Sequence, residues 1–335
     1  MARVHHVARV LLAACAASGA GLALAAGDAP AAPGTGTATA VAYAPTVVPT
    51  KPNRVILLDA AQAGTRLLAV GERGVVLQSD DGGTTWKGQR TPTTRTLTAV
   101  AFNDERNGIA VGHGATILRT ADGGATWQQV KVKEAGIDSL LGAVALGGTR
   151  MAAYGAFGLY LESDDNGQNW TRGQVIDADF DRHISQVFKA GDKFVLVGES
   201  ATLAASDDGK TFKRLDSPYK GSWFGGLATK GGAWLIYGMR GNVYRSENAG
   251  AAWTKIDTGG EQTLANGRVL PDGRIVLVGV GGKIAVSSDD GRSFAPVKAG
   301  VRQSLAQVVA LADGKLLLVG EGGVAKIDAP AAAAK

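Results

Sequence analysis

Hydrophobic and polar residues alternate over short stretches along most of this 335-residue chain, and glycine-rich or polar turns separate the stretches. One example is TLTAVAF (96–102), followed in order by GIAVG (108–112), ATILRT (115–120) and TWQQVKV (126–132). This alternation, with its β-branched residues, predicts four short strands. A helical repeat would need apolar residues three and four positions apart over ten or more residues, and these stretches lack that spacing. The pattern therefore predicts an all-β fold.

The four-strand pattern returns roughly every 42 residues. Six repeats contain a turn that ends in an aromatic residue, as in SDDGGTTW (79–86). A glycine precedes each turn and appears a seventh time, in LVGEGGVAKID (318–328); the seven are Gly71, Gly112, Gly155, Gly198, Gly238, Gly279 and Gly320. Repeats of this length with four short strands are typical of propeller blades. We predict a single seven-bladed β-propeller of four-stranded antiparallel blades over residues 41–329.

The seventh repeat lacks a fourth strand, because its third strand is followed by the low-complexity end APAAAAK. We expect VAYAPTVV (41–48) to supply that strand, since pairing N- and C-terminal strands in one blade closes the ring and covers sheet edges. We expect residues 26–40 to be a flexible linker and residues 330–335 a disordered tail.

Residues 1–25 have the pattern of a secretory signal peptide. Arg3 and Arg9 both precede an apolar stretch that begins at residue 10. At its end, Ala23-Leu24-Ala25 fits the small-residue rule for signal-peptide cleavage. We expect the mature protein to be exported, to the periplasm or beyond, and not to span the membrane. A membrane anchor and a lipoprotein modified at Cys15 are the alternatives. Cys15 is the only cysteine, so the mature chain would have no disulfide.

Charge and residue counts exclude some kinds of partner. The formal charge of +5 falls to +3 when Arg3 and Arg9 are removed (5 − 2), and no block of five or six basic residues occurs. A nucleic-acid partner is therefore not expected. Without residues 1–25 the only histidines are His113 and His183, too few for a multi-histidine metal site. We predict no metal and no cofactor.

The repeated turn fits S/T-x-D-x-G-x-T/S-W/F, which resembles the Asp-box, or BNR, repeat of sialidases, sortilin-type receptors and related propellers. In the first turn we expect Asp81 to accept backbone N–H groups, Gly83 to adopt a conformation that other residues resist, Ser79 to bond across the loop and Trp86 to pack between blades. We expect the same structural roles at Asp122, Gly124, Trp127, Asp165, Gly167, Trp170, Asp207, Gly209, Phe212, Asn248, Gly250, Trp253, Asp289, Gly291 and Phe294. One carboxylate per repeat is not a catalytic arrangement.

The Asp-box resemblance also raises a glycosidase. Sialidases carry an Arg-Ile-Pro motif, and the nearest match here, Arg54-Val55-Ile56, lacks the proline. Acid–base hydrolysis needs two carboxyl groups on either side of the bond. Asp177, Asp179 and Asp181 lie in one loop without an evident partner elsewhere. We predict no catalytic residues, and keep a carbohydrate-binding or glycoside-hydrolase-like propeller as the alternative.

The whole repeat resembles the photosystem II assembly factor family, called Ycf48 in cyanobacteria and HCF136 in plants. Residues 96–127 (TLTAVAFNDERNGIAVGHGATILRTADGGATW) carry the resemblance best. It implies a non-catalytic platform that holds a membrane-protein partner during assembly. The family includes exported members in non-photosynthetic bacteria, and the alanine-rich signal here is typical of one. The expected partner is therefore a membrane protein or envelope complex, bound by a monomer.

One face of the propeller is predicted to bind the partner. Links between blades and turns between second and third strands project from the end opposite the aspartate turns. That end would gather Arg73, Arg90, Arg95, His113, Phe157, Arg182, His183, Tyr219, Trp223, Phe224 and Arg240. Arginine and aromatic residues are enriched at interface hot spots. In SPYKGSWFGG (217–226), Trp223 or Phe224 could instead begin a buried inner strand, and both interpretations stay open.

Overall fold

The computed structural model describes residues 47–48 and 51–331, which form seven small antiparallel sheets. Blade 1 contains β1 (Val47–Val48), β2 (Leu57–Ala63), β3 (Arg66–Gly71), β4 (Val76–Ser79) and β5 (Lys87–Gln89). Blade 2 contains β6 (Leu97–Phe102), β7 (Gly108–Gly112), β8 (Thr116–Thr120) and β9 (Gln128–Val130). Blade 3 contains β10 (Leu140–Gly147), β11 (Arg150–Gly155), β12 (Tyr160–Ser163) and β13 (Thr171–Arg172). Blade 4 contains β14 (Ile184–Ala190), β15 (Lys193–Gly198), β16 (Leu203–Ser206) and β17 (Lys213–Arg214).

The remaining blades follow the same order. Blade 5 contains β18 (Trp223–Ala228), β19 (Trp234–Gly238), β20 (Val243–Ser246) and β21 (Thr254–Ile256). Blade 6 contains β22 (Leu264–Val269), β23 (Ile275–Gly279), β24 (Ile284–Ser287) and β25 (Ala295–Pro296). Blade 7 contains β26 (Leu305–Ala310), β27 (Lys315–Gly320) and β28 (Gly323–Asp328). Short 3-10 segments lie at Glu72–Gly74, Lys133–Ala135, Ala156–Gly158, Met239–Gly241 and Val280–Gly282.

The predicted seven-bladed propeller is confirmed. The four strands predicted within residues 96–132 are β6 to β9, and the predicted bounds differ by at most two residues. The first strands of successive blades contact one another in a closed ring, β2 to β26, so they line the centre. The second strand of each blade is buried on both sides, because neighbouring blades cover it; the five residues of β7 are all buried. This explains its uninterrupted apolar sequence.

Seven apolar clusters fill the seven seams between blades. The seam between blades 7 and 1, for example, holds Leu67 and Leu77 from one side and Leu317 from the other. No seam is left unpacked, so the burial that stabilises the fold is spread around the whole ring.

The prediction for ring closure is wrong where the structure can test it. Val47 and Val48 pair with Gln89 and Gly88 of β5, so β1 extends blade 1 and does not complete blade 7. Within the described residues blade 7 therefore has three strands. The ring closes through the packing of β26 on β2 and through a hydrogen bond from the Val324 N–H to the Pro52 carbonyl at 3.1 Å.

Several predicted segments lie outside the described residues. These are the signal peptide (1–25), the linker (26–40), residues 41–46 and the last four residues of the tail (332–335). Pro330, within the predicted tail, accepts a hydrogen bond from the Arg274 guanidinium through its carbonyl. No helix in the described part of the chain is long and apolar enough to cross a membrane.

Every inner strand has the same irregularity near its start. The register shifts by one residue after the first paired residue, for instance between Leu57 and Asp59 in β2. The residues that follow the shift are Asp59, Ala99, Gly142, Gln186, Gly225, Asn266 and Gln307. A β-bulge of this kind redirects a side chain. Here it directs Asp59 to the Val100 N–H (2.9 Å) and Gln186 to the Gly226 N–H (2.7 Å), each in the next blade.

Candidate functional site

The aspartate turns form one face of the propeller, and in five of the six the carboxylate accepts hydrogen bonds from its own turn. Ser79 Oγ donates to Asp81 Oδ1 at 2.8 Å and accepts the Gly83 N–H at 2.9 Å. Asp81 Oδ1 also accepts the Thr85 N–H at 2.8 Å, and Oδ2 accepts the Thr85 hydroxyl at 2.6 Å. The bonds from Thr85 do most to hold the pKa of Asp81 well below its usual range. A carboxylate with these partners has little capacity left for a ligand or a proton.

Departures from the motif keep the same hydrogen bonds. Asn169 stands where other turns have threonine, and its side-chain amide donates to Asp165 Oδ2 at 2.7 Å. Asn248 replaces the aspartate in blade 5 and still accepts the Ser246 hydroxyl (2.9 Å) and the Ala252 N–H (2.8 Å). The turn geometry, rather than the negative charge, is therefore what these substitutions preserve.

The residue predicted for the turn of blade 4 is wrong by one position. Asp208, not Asp207, accepts the Ser206 hydroxyl at 2.7 Å and the Lys210 and Thr211 N–H groups at 2.8 and 3.0 Å. These backbone donors lower the pKa of Asp208 to about 2. Asp207 instead forms an exposed ion pair with Lys193. The shift arises because one residue between aspartate and glycine is missing here, so counting back from Phe212 selects the wrong acid.

The aromatic residue of each turn packs against the preceding blade. Trp86 contacts the cluster between blades 7 and 1, and Trp127 contacts the cluster between blades 1 and 2. Trp170, Phe212, Trp253 and Phe294 occupy the next four seams. Trp86 and Trp170 also donate their indole N–H to the carbonyls of Gly83 and Gly167 at 3.1 and 3.0 Å. The aspartate face is thus built from residues that hold blades together.

The opposite face carries the turns between second and third strands. Each of these turns begins with one of the seven repeated glycines. The backbone carbonyl just before the inner strand lies so close to this residue that a side chain would not fit. A Cβ on Gly71 would lie 2.0 Å from the Ile56 carbonyl oxygen, and the other six glycines have equivalent contacts within 2.4 Å. This contact explains the most regular feature of the repeat.

The third residue of these turns adopts a left-handed conformation in blades 1 to 6. Glycine occupies the position in blades 2 and 6, but blades 1, 3 and 5 have Arg73 (φ 57°), Phe157 (φ 51°) and Arg240 (φ 55°). A side chain in this region costs about 1–2 kcal/mol relative to a right-handed conformation. All three side chains are exposed at the tips of their turns. The same left-handed conformation is adopted by Asn166, Ala249 and Asp290 in the aspartate turns, so the strain alone does not mark a binding residue.

The other predicted residues of this face differ in exposure. Arg90, Arg95 and Arg182 are exposed, and His113, Tyr219 and Phe224 are half-buried. Two residues do not belong to the surface. Trp223 is fully buried as the first residue of β18 and donates its indole N–H to Ser217 Oγ at 3.0 Å.

His183 is the second buried residue, so its side chain lies beneath the surface of this face. Its side chain is 7% exposed, lies 3.1 Å from Glu199 Oε2, and its ring lies 4.9 Å from the ring of Phe157. His183 therefore supports Phe157 from below. Burial lowers the pKa of the other histidine of this face, His113.

Two adjacent grooves cross this face. The first has a volume of about 480 Å³ and is lined by Arg73, Gly74, Val75, Gln89, Arg90, Thr91, Pro92, Thr93 and Thr94. The second, of about 460 Å³, is lined by Pro92, Thr93, Thr94, Arg95, Gly114, Ala115, Gln129, Val130, Lys131, Val132, Gly136 and Ile137. They share residues 92–94, and neither lining includes an acidic side chain. The grooves therefore form one basic track over blades 1 and 2, and we call them the basic track below.

Sequence reasoning missed two kinds of residue on this face. Glu72, Glu199 and Glu321 follow the turn glycines, and each accepts a backbone N–H at the start of its inner strand, from Ile56 (3.1 Å), His183 (3.3 Å) and Ser304 (3.1 Å). Ile137 is 85% exposed in the link between blades 2 and 3. An isolated isoleucine between glycine and aspartate was the available signal for it.

No arrangement in the described residues suggests metal chemistry, since they contain no cluster of three or more potential metal ligands. Of the three aspartates considered for a glycosidase, Asp177 pairs with Arg214 at 2.9 Å and Asp181 with Arg182 at 3.5 Å. Two of the three aspartates therefore have a basic partner.

Fold and site together define an Asp-box β-propeller with seven blades and a basic track on the face of its variable turns. The profile of the family described as photosynthesis system II assembly factor YCF48 matches residues 86–293. That match covers more than half of the chain, and the protein belongs to this family. No curated protein matches the sequence.

Solved structures with the same fold include two of YCF48. YCF48 bound to a D1 peptide is 18% identical, with 85% of this chain and 97% of that chain covered and a TM-score of 0.69. YCF48 from Cyanidioschyzon merolae is 17% identical, with 85% and 99% covered and a TM-score of 0.66. The WD40 propeller domain of Doa1 is 13% identical, with 82% and 93% covered and a TM-score of 0.65. At sequence identities this low, the similarity shows that these proteins share a fold and nothing more.

Proposed function

We propose that this protein is a non-catalytic, exported platform that binds a membrane protein and serves as an assembly or accessory factor for an envelope complex. The observation that carries the proposal is the basic track, which lies on the face where the blades differ from one another. Family membership supports it, and so does the YCF48 structure that contains a D1 peptide, a protein ligand of that relative.

The shape of the basic track favours a polypeptide as the ligand. Its two grooves are open to solvent and lie next to each other on either side of residues 92–94, so an extended chain fits better than a compact small molecule. Arg73, Arg90 and Arg95 can each bind a carboxylate or a backbone carbonyl through several N–H donors. Since no acid lines the grooves, these arginines are available to an acidic partner.

Several observations support a non-catalytic role. The repeated aspartates accept hydrogen bonds within their own turns, and Asp177 is ion-paired. A glycosidase would need two carboxyl groups set on either side of a substrate bond. The carbohydrate-related alternative therefore rests on the Asp-box resemblance alone.

Affinity purification from solubilised envelope membranes tests the proposal. We expect a membrane protein or complex to copurify with the wild type, and its recovery to fall at least fivefold for the double variant Arg73→Glu/Arg95→Glu. The matched control is Arg172→Glu/Lys213→Glu, on exposed outer strands away from the basic track. Recovery of no partner, combined with activity on glycosides, would instead favour the alternative.

Export is tested separately by the N-terminus of the protein purified from cells. A chain beginning at residue 26, found in the periplasm, would agree with the proposed signal peptide. An intact N-terminus in the membrane would indicate an anchor, and a lipid on Cys15 would indicate a lipoprotein.

A further inference from the structure

Among the described residues, Ile137 and Phe157 are the exposed large hydrophobic side chains, with 85% and 46% of their surfaces accessible. Both lie on the face that carries the basic track. Single exposed apolar residues are common on protein surfaces, so a role for these two depends on the segments that hold them and on the groove beside Ile137.

A backbone hydrogen bond joins the two segments that carry these residues. The Ala156 N–H donates to the Ser139 carbonyl at 2.9 Å, which joins the turn of Phe157 to the link that carries Ile137. On the other side of that link, the Ala115 N–H donates to the Asp138 carbonyl at 2.7 Å. The link is therefore held at both edges, and Ile137 projects from a fixed segment.

Ile137 also lines the second groove of the basic track. Pro92, Val130 and Val132 provide apolar lining, and Arg95 and Lys131 provide the positive charge. Arg95 is held over the groove by a hydrogen bond from Nη1 to the Gly114 carbonyl at 2.8 Å. The positive charges therefore come from blade 2 and the link before it, and the exposed apolar side chain of Ile137 comes from the link between blades 2 and 3.

Phe157 is held in place at a conformational cost. Its φ of 51° is one that glycine adopts without penalty, and glycine is present at the same position in blades 2 and 6. The ring packs edge-to-face on the buried His183, with 4.9 Å between centroids. Nearby, in the link between blades 3 and 4, the exposed side chains of Asp181 and Arg182 form an ion pair at 3.5 Å.

We infer that Ile137 and Phe157 are the apolar anchor for an extended segment of the partner protein. The segment places apolar side chains on this pair and carboxylates over Arg95 and Lys131, which sets its direction along the groove. This inference rests on the proposed function and adds the location and the chemistry of the bound segment. It requires a partner segment that is apolar at one end and acidic at the other.

Photo-crosslinking in the native cells tests the location. p-Benzoylphenylalanine is introduced at position 137 or 157, and at the exposed positions 84 and 168 on the aspartate face as controls. We expect positions 137 and 157 to crosslink the same protein at least tenfold more than the controls, through a peptide with apolar and acidic residues. Equal crosslinking from the control face, a basic crosslinked peptide, or no crosslink at 137 and 157 would overturn the inference.

Phe157→Gly separates binding from folding. Glycine relieves the left-handed strain, so we expect the Tm to change by less than about 2 °C while partner recovery falls at least fivefold. Ser200→Gly also replaces a left-handed residue by glycine, at the equivalent position of blade 4, and should leave partner recovery unchanged. If Phe157→Gly and Ile137→Ser retain the partner while Arg73→Glu/Arg95→Glu loses it, this inference fails and the proposed function stands. If the wild type recovers no partner, the proposed function fails as well.

Discussion

The side-chain amide of Gln307 donates a hydrogen bond to the carboxylate of Asp59, 248 positions earlier in the chain, with 2.7 Å between Nε2 and Oδ1. The other carboxylate oxygen accepts the Val100 N–H at 2.9 Å. One side chain in blade 1 therefore bonds to blade 7 and to blade 2. In the absence of a completing strand from β1, this bond is part of what joins the two ends of the propeller.

The bond between Gln307 and Asp59 should contribute measurably to stability. Gln307→Ala removes a donor and leaves the half-buried carboxylate of Asp59 with fewer partners, so we expect the free energy of unfolding to fall by about 1–3 kcal/mol. Urea denaturation followed by tryptophan fluorescence measures the change. Gln128→Ala, at an exposed position of β9, is the control and should have little effect. Equal stability of the two variants would show that the seam closes without this bond.

Asp59 should also make stability depend on pH. Burial raises its pKa from 3.8 to about 6, against the smaller effect of its hydrogen bonds. Between pH 3.8 and 6 the folded chain then binds more protons than the unfolded chain. The stabilisation that comes from this proton uptake by Asp59 is therefore complete below pH 3.8 and is lost as the pH rises through 6. The total is about 3 kcal/mol. We expect the difference in unfolding free energy between wild type and Asp59→Asn to shift by up to this amount from pH 7 to pH 4; parallel pH profiles would contradict the assignment.

The correction in blade 4 gives a paired test. Asp208→Ala removes the acceptor of the Ser206 hydroxyl and of two backbone N–H groups, so we expect a loss of about 1 kcal/mol. Asp207→Ala removes only an exposed ion pair with Lys193, which is worth little. Thermal denaturation of the two variants decides between the positions. A larger effect of Asp207→Ala would restore the assignment made from the sequence.

Gly142 should be required by Tyr154. A Cβ on Gly142 would lie 2.2 Å from Cε2 of the tyrosine, and Gly142 does not have a positive φ, so only this contact opposes alanine. We expect Gly142→Ala to destabilise the protein by about 1–3 kcal/mol. Blade 2 has alanine and valine at the paired positions, Ala99 and Val111. The double variant Gly142→Ala/Tyr154→Val should therefore be more stable than the sum of the single changes predicts. Additive effects in chemical denaturation would contradict this coupling.

The repeat predicted the architecture because each unit encodes the same local rules. The glycine that precedes each aspartate turn and the aromatic residue that ends the turn each recur about every 42 residues. Close contact with a backbone carbonyl explains the glycine, and packing between blades explains the aromatic residue. The same reliance on spacing failed in blade 4, where a missing residue moved the acid from Asp207 to Asp208. The acid that bonds to the turn is the one two residues after Ser206, and its separation from Phe212 along the sequence does not decide it.

Other features could not be predicted because they depend on contacts between distant segments. Trp223 and Phe224 are adjacent in the sequence, and only the register of β18 decides that Trp223 is buried. The role of Asp59 depends on Gln307, which is at the other end of the ring. Ile137 carries no periodic signal, since it lies in a link, and its exposure becomes evident only once the neighbouring turns are placed.

The turns that carry Arg73, Phe157 and Arg240 have one further consequence. Their φ angles of 57°, 51° and 55° are close to those of Gly114 (62°) and Gly281 (67°), so this position of the turn accepts glycine or a larger residue. The face therefore behaves as a set of independent positions, each open to change for about 1–2 kcal/mol. Members of such a family can acquire new binding partners one side chain at a time, while the aspartate turns on the far side keep the ring intact.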